Sequence, residues 1–161
     1  NLTYKILSLN RINIGLLCFI SFSSKIRNSG GRVKIGSKLW MEPNSIIKSV
    51  KGSINIDNNV FINKNFTMVS MSKVTIGRNC LFGPNVSIFD HDHELSVDKR
   101  DLFKVSDVII GDNVWVGSSV TILKGVTISS GSVVAAGSVV NKDIPSGELW
   151  GGVPARFIRN L

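Results

Sequence analysis

Residues 87–98 read SIFDHDHELSVD and hold both histidines of the chain, His91 and His93, among the acids Asp90, Asp92 and Glu94. Two imidazoles and two carboxylates are ligands for a divalent metal. One imidazole, with an unperturbed pKa near 6.5, suits removal of the proton from an attacking hydroxyl, and a carboxylate or carbonyl beside it would fix its tautomer. Asp90 and Asp92 are equal candidates for that second role. The remaining reading is a polar loop without chemistry.

The 161 residues suffice for one domain with a hydrophobic core and are too few for two. Lys and Arg number 19 and Asp and Glu 11, a net charge of +8. That surplus favours an anionic partner such as a phosphate-bearing cofactor, nucleic acid or an anionic membrane surface. The basic residues are scattered, without aromatic interleaving or zinc-finger spacing, which argues against nucleic acid. Cys18 and Cys80 match no metal or knuckle spacing, so reduced thiols and a cytoplasmic protein are expected. The most apolar stretch, INIGLLCFISF at 12–22, is shorter than a bilayer span and lacks a small-residue cleavage site. It reads as a packed helix or strand, with a membrane-surface anchor as the alternative.

The elements that must position the histidines follow from a repeat. Large aliphatics fall every six residues at Ile110, Val116, Ile122, Ile128, Val134 and Val140, and the step recurs at Ile76, Phe82, Ile88, at Ile56, Ile62, Met68 and at Ile35, Met41, Ile47. The fifth position of a hexad is smaller and mostly apolar, as in Cys80, Val86, Val114, Val120, Val126, Ser132 and Ser138. The fourth is repeatedly Asn or Gly, at Asn44, Asn59, Asn65, Asn79, Asn85, Asn113, Gly125, Gly131 and Gly137. Those types tolerate positive φ, so each hexad should be a short strand ending in a corner. A period of six is neither helical nor simple alternation. Three hexads close one triangular coil, and coils stack through parallel pairing. The expected fold is therefore all-β, a parallel β-helix of about five coils over residues 33–145, starting near Ile35, Ile56, Ile76, Ile110 and Ile128. From Ile88 to Ile110 the step is 22 residues, so a loop at about 94–107 leaves the scaffold directly after the histidines.

The segment IGDNVWVGSSVTILKGVTISSGSVVAAGSVVNKDIPSGELWGGVPARFIR, Ile110 to Arg159, resembles the C-terminal signature of the hexapeptide-repeat acyltransferases, in the maltose, galactoside and polysaccharide O-acetyltransferase branch. The resemblance covers roughly residues 33–160. It implies a left-handed coil, acetyl-CoA as acyl donor, no metal, and a homotrimer with active sites between subunits. It divides the chain into an apolar, basic N-terminal segment, 1–30, and a transferase domain, 31–161, with a short C-terminal tail. The family's catalytic histidine lies five residues after the aliphatic opening the last hexad before the loop. Counting from Ile88 gives His93, and His93–Arg100 fits the H-x-L-x-x-x-x-R pattern of the sugar enzymes. His91 matches nothing catalytic. The three-histidine zinc pattern of the related β-helix carbonic anhydrases has no third histidine here.

By the same resemblance Asn63, Asp92 and Arg100 are expected at the acceptor. Trp115 and Ser118 are expected beside the thioester and Ala136 against pantetheine. Lys142, Arg156 and Arg159 are expected near the phosphates of CoA, where Arg and Lys pair well. Two departures bear on the acceptor: residues 1–30 are basic and apolar where the sugar enzymes carry an acidic or aromatic helical region, and Glu94 replaces a common Pro. The expected function is O-acetylation of a surface polysaccharide or its precursor, at the inner membrane surface if the acceptor is lipid-linked. The alternatives are acetylation of a free sugar, amino sugar or antibiotic, and a non-catalytic scaffold.

Overall fold

The hexads fold as short strands joined by corners, three to a coil, in the computed structural model, which describes residues 11–95 and 102–161. The first coil holds β1 (Ile12–Ile14), β2 (Phe19–Ile20) and β3 (Lys25–Asn28). The second holds β4 (Arg32–Ile35), β5 (Trp40–Met41) and β6 (Ile46–Ser49), and the third β7 (Ser53–Ile56), β8 (Phe61–Ile62) and β9 (Thr67–Ser70). The fourth holds β10 (Lys73–Ile76), β11 (Leu81–Phe82) and β12 (Ser87–Phe89). A hairpin of β13 (His91–His93) and β14 (Phe103–Val105) follows. The fifth coil is β15 (Val108–Ile110), β16 (Trp115–Val116) and β17 (Thr121–Ile122), and the sixth β18 (Thr127–Ile128), β19 (Val133–Val134) and β20 (Val139–Val140). A closing hairpin, β21 (Glu148–Gly152) and β22 (Ala155–Asn160), forms the tail.

Parallel pairing joins equivalent strands into three sheets: β1-β4-β7-β10-β15-β18, β2-β5-β8-β11-β16-β19 extended by β21 and β22, and β3-β6-β9-β12-β17-β20. The inward positions read from the sequence are all buried: Ile110, Val116, Ile122, Ile128, Val134 and Val140 at the first hexad position, and Val114, Val120, Val126, Ser132 and Ser138 at the fifth. Cys80 and Val86 join them. All nine Asn and Gly of the fourth position have positive φ, from 57° at Asn113 to 77° at Gly125. The asparagines also bond along the stack. Asn59 Nδ2 donates to Asn79 Oδ1 at 2.9 Å, Asn79 Nδ2 to Asn113 Oδ1 at 3.1 Å, and Asn65 Nδ2 to Asn85 Oδ1 at 3.0 Å.

Three features differ from the sequence expectation. The stack has six coils, not five, because residues 12–28 form one more in register with the second, as in Ile12↔Val33, Phe19↔Trp40 and Ile26↔Ile47. Its aliphatics Ile14, Ile20 and Ile26 keep the six-residue step, but Cys18, Phe19 and the exposed Leu16 and Leu17 hide the period in a uniformly apolar run. The segment set apart as 1–30 thus supplies strands to the stack from Ile12 onward. The inserted loop opens as an antiparallel hairpin that already includes both histidines, with His91↔Val105 and His93↔Phe103 paired. The tail pairs antiparallel with itself and seals the second sheet through Val133↔Leu149 and Val134↔Trp150.

Two outcomes follow for the core. Replacing the fully buried Ile122 by Ala should lower stability by about 2–5 kcal/mol, read from urea unfolding, because the stack above and below prevents collapse into the space. Burial pushes the Cys80 thiol from 9.0 up to about 11. Between these values the unfolded chain loses the thiol proton and the folded chain keeps it, so this term of stability falls as pH rises from 9 to 11. A Cys80→Val variant should lack that fall, and at pH 8 a maleimide should modify Cys18 in the native protein well before Cys80.

Candidate active site

Three corners run the length of the prism. The hairpin carrying His93 leaves from the third, where the third sheet returns to the first, and its root is a buried carboxylate. Asp90 is fully buried and accepts from Ser70 Oγ at 2.7 Å, Met71 N–H at 2.8 Å and Ser72 N–H at 2.8 Å. Its Oδ1 lies 3.0 Å from His91 Nδ1. Ser49, Ser70 and Asp90 occupy equivalent inward places two residues after Ile47, Met68 and Ile88, and all three are fully buried. Satisfying a buried carboxylate takes several donors, and the preceding turn of the coil provides them.

His91 is tied into this root. Its ring meets Phe89 and Phe103 edge-on, with centroids 6.1 and 5.6 Å apart. Phe103 then stacks on His93, centroids 4.4 Å apart at 44°. The chain Asp90–His91–Phe103–His93 fixes the imidazole of an otherwise exposed strand. Asp92, expected at the acceptor, points to Lys124 of the next coil, with Nζ–Oδ2 at 2.9 Å. Glu94 meets Lys104 across the hairpin at 3.1 Å, and its N–H donates to Leu102 O at 2.9 Å. Neither carboxylate considered for orienting His93 is committed to it alone: Asp90 holds His91 and the turn at 70–72, and Asp92 holds Lys124. The signal for Asp90 was the polar Ser49–Ser70–Asp90 series, which interrupts an apolar pattern at one fixed place. Arg100 lies outside the described residues. No group of three His, Cys, Asp or Glu suited to a metal occurs among the described residues.

Another expected set converges elsewhere. Trp115, Ser118 and Ala136 line one groove of about 370 Å³ at the second corner, together with Gly117, Val133 and Leu149. Small residues keep it slender. A Cβ at Gly117 would come 2.7 Å from Ala136 N, and one at Gly83 2.7 Å from Ser118 N, so the coils approach there as only glycine allows. Trp115 is 56% exposed, forming one wall. Arg159 on β22 pairs across to Leu149, which lines the groove, and Arg156 pairs to Gly151. Asn63 stands on the same corner two coils above Ser118, linked through Asn63 N–H to Phe82 O at 3.1 Å and Gly83 N–H to Val116 O at 2.8 Å. Its Oδ1 accepts from Lys64 N–H at 2.8 Å. Lys142 sits apart from the two arginines, at the third corner after β20. Within one chain, then, groove and histidine occupy different corners, separated by the width of a sheet, about 15–20 Å for six extended residues.

Comparison with known proteins places the chain. Residues 107–142 match the bacterial transferase hexapeptide (six repeats) model, and residues 73–88 the hexapeptide repeat of succinyl-transferase. The galactoside O-acetyltransferase of Escherichia coli (strain K12) is 41% identical over 79% of this chain and 63% of its own length. The chain thus spans less than two thirds of that relative. A solved galactoside acetyltransferase in complex with coenzyme A superimposes with a TM-score of 0.65 and 30% identity over 97% of this chain and 68% of that one. A hexapeptide-repeat-containing acetyltransferase from Vibrio cholerae gives a TM-score of 0.66 at 29% identity, covering 99% of this chain and 80% of that one. A repeat-built prism with one inserted hairpin, matched along nearly its whole length, leads to one conclusion: the chain belongs to the hexapeptide-repeat, left-handed parallel β-helix acyltransferases, in the branch of the galactoside and maltose O-acetyltransferases.

Proposed function

We propose that this chain is an acetyl-CoA-dependent O-acetyltransferase acting on a sugar hydroxyl of a surface polysaccharide, such as capsule or O-antigen, or of its precursor. The observation that carries the reading is the division of the machinery: a slender apolar groove on one corner and an exposed, aromatic-braced histidine on another. The groove suits a thin pantetheine arm along Trp115, Ser118 and Ala136, with Arg156 and Arg159 toward the phosphate end. Acetyl-CoA supplies an activated acyl carbon and a thiolate leaving group. His93 takes the acceptor hydroxyl proton as the oxygen attacks, and later returns it to the departing sulfur. Ser118 Oγ–H and nearby backbone N–H groups donate to the oxyanion. Asn63, Asp92 and Arg100 contact the acceptor.

A second copy of the chain would bring the two corners together. The second sheet presents an outward ladder, Phe19, Trp40, Phe61, Leu81 and Trp115, each paired to the next, with Trp40 at 48% and Leu81 at 50% exposed. An apolar column of this kind suits burial against a neighbour, and a homotrimer would set one chain's His93 opposite the next chain's groove. Use of acetyl-CoA and two free cysteines, Cys18 and Cys80, fit the cytoplasm, at the inner membrane surface where the acceptor is lipid-linked.

A thiol-release assay with acetyl-CoA and a panel of sugars and glycans tests the reading. His93→Ala should reduce kcat by about 10²–10⁴ with CoA binding intact; near-normal turnover would overturn His93 as base. Ala136→Trp should fill the groove and raise KM for acetyl-CoA on the order of tenfold. No thiol release with any acceptor, together with no CoA binding, would leave a scaffold.

A further inference from the structure

The net charge is confined to the first third of the sequence. Residues 1–51 carry nine Lys and Arg against a single acid, Glu42, whereas residues 52–161 carry ten of each sign. Part of this surplus is aligned on the first sheet. Arg11, whose carbonyl accepts from Val33 N–H at 2.8 Å, stands beside Arg32; Arg32 pairs with Ser53 of β7, and Ser53 with Lys73 of β10. Lys51 flanks the column from the third corner. Arg11, Arg32, Lys51, Ser53 and Ser72 line an open cleft of about 510 Å³, whose floor is the glycine backbone of successive corners. A Cβ at Gly52 would come 2.7 Å from Ser70 Oγ, so the floor at that level is bare backbone.

Like charges side by side on neighbouring strands destabilise a sheet unless something neutralises them. Among the described residues no carboxylate pairs with Arg11, Arg32, Lys51 or Lys73. Arg11 Nη1 donates to Gly30 O at 2.9 Å, which holds the guanidinium at the cleft mouth. The two carboxylates at the lower edge are engaged: Asp90 in the bonds described above, and Asp107 by Ser72 Oγ at 2.6 Å. The cleft also leads to the hairpin. It lies on the same corner, where coils pile up at about 4.8 Å each, so it spans roughly 10–15 Å above the point where His91–His93 departs. Ser72 belongs to both places, lining the cleft and donating its N–H to Asp90 at 2.8 Å.

We propose that this cleft binds the phosphate or diphosphate of the acceptor, so that the sugar reaches His93 as a phosphate-bearing conjugate. Two stacked arginine forks and a lysine match oxygens spread over one or two phosphates. The distance to the hairpin is that of a sugar unit and its linkage. The inference rests on the reading of His93 as base, and the same chemistry arises on a nucleotide-linked or a lipid-linked sugar.

Acetyl-CoA-dependent thiol release should be measured with a free hexose, the corresponding hexose 1-phosphate, a nucleoside-diphosphate hexose and a short-chain polyprenyl-diphosphate hexose. The wild type should show the lowest KM for one of the diphosphate conjugates, and which of the two is preferred identifies the source of the phosphate. The triple variant Arg11→Ala, Arg32→Ala, Lys51→Ala should raise KM for phosphate-bearing acceptors roughly tenfold or more, with KM for acetyl-CoA and turnover of free hexose unchanged. Restoring charge with Arg32→Lys in place of Arg32→Ala should recover part of the loss. Equal KM values for free and phosphorylated acceptors, or a triple variant with wild-type KM values, would overturn the cleft and leave His93 standing. If none of these acceptors is turned over, calorimetry with inorganic pyrophosphate still decides the cleft: binding by wild type and its loss in the triple variant support it, and absence of binding by wild type overturns it.

Discussion

Everything in this molecule depends on one spacing: equivalent residues of successive coils must sit one strand separation apart, about 4.8 Å, along the whole stack. That demand makes the sequence periodic, because a side chain that fits the interior at one level meets its equivalent at the next. It explains why Val, Ile and Met recur inward, why small or polar residues such as Ser132 and Ser138 are tolerated at the tighter fifth position, and why corners rely on residues comfortable at positive φ. It also separates tasks. The interior is uniform, so chemistry is left to the corners and to what is inserted between coils.

The hairpin illustrates how an insertion is fastened to such a frame. A buried Asp90 takes two N–H donors and a hydroxyl from the preceding turn, and it holds His91, which steadies Phe103 and through it His93. Removing the carboxylate would strip these bonds from the root of the hairpin, at a cost of about 1–3 kcal/mol for each donor left unsatisfied. Rigidity at the root lets an exposed imidazole hold one orientation. On the opposite edge of the same prism the groove needs no such device, since glycine and alanine at successive corners make it by what they lack.

Much of this was legible in the chain. The hexad count gave the coil, its inward positions, its corner residues and the location of the inserted segment, because each depends on residue type at a fixed step. What escaped did so for physical reasons. The first coil was hidden since Leu16, Leu17 and Phe22 place apolar side chains on outward corners, masking the step of Ile14, Ile20 and Ile26. The pairing of Asp90 with His91 depends on which way adjacent side chains turn at a corner, which composition does not record. The cationic column was dispersed in sequence, at 11, 32 and 73 with Lys51 at its flank, and only stacking brings those residues together.

The asparagine ladder bears on how such proteins diverge. Asn79 and Asn113 are hydrogen-bonded neighbours although the hairpin lies between them in the chain, and β10, β11 and β12 pair with β15, β16 and β17 as evenly as any other levels of the stack. The frame therefore keeps its register across the point of insertion, and the insertion is fastened to it by bonds of its own, as between Lys124 and Asp92 and from Ser72 Oγ to Asp107. The chain beyond His93 can therefore change in length while the levels on either side of the splice, which together line the groove at Gly83 and Trp115, stay in register.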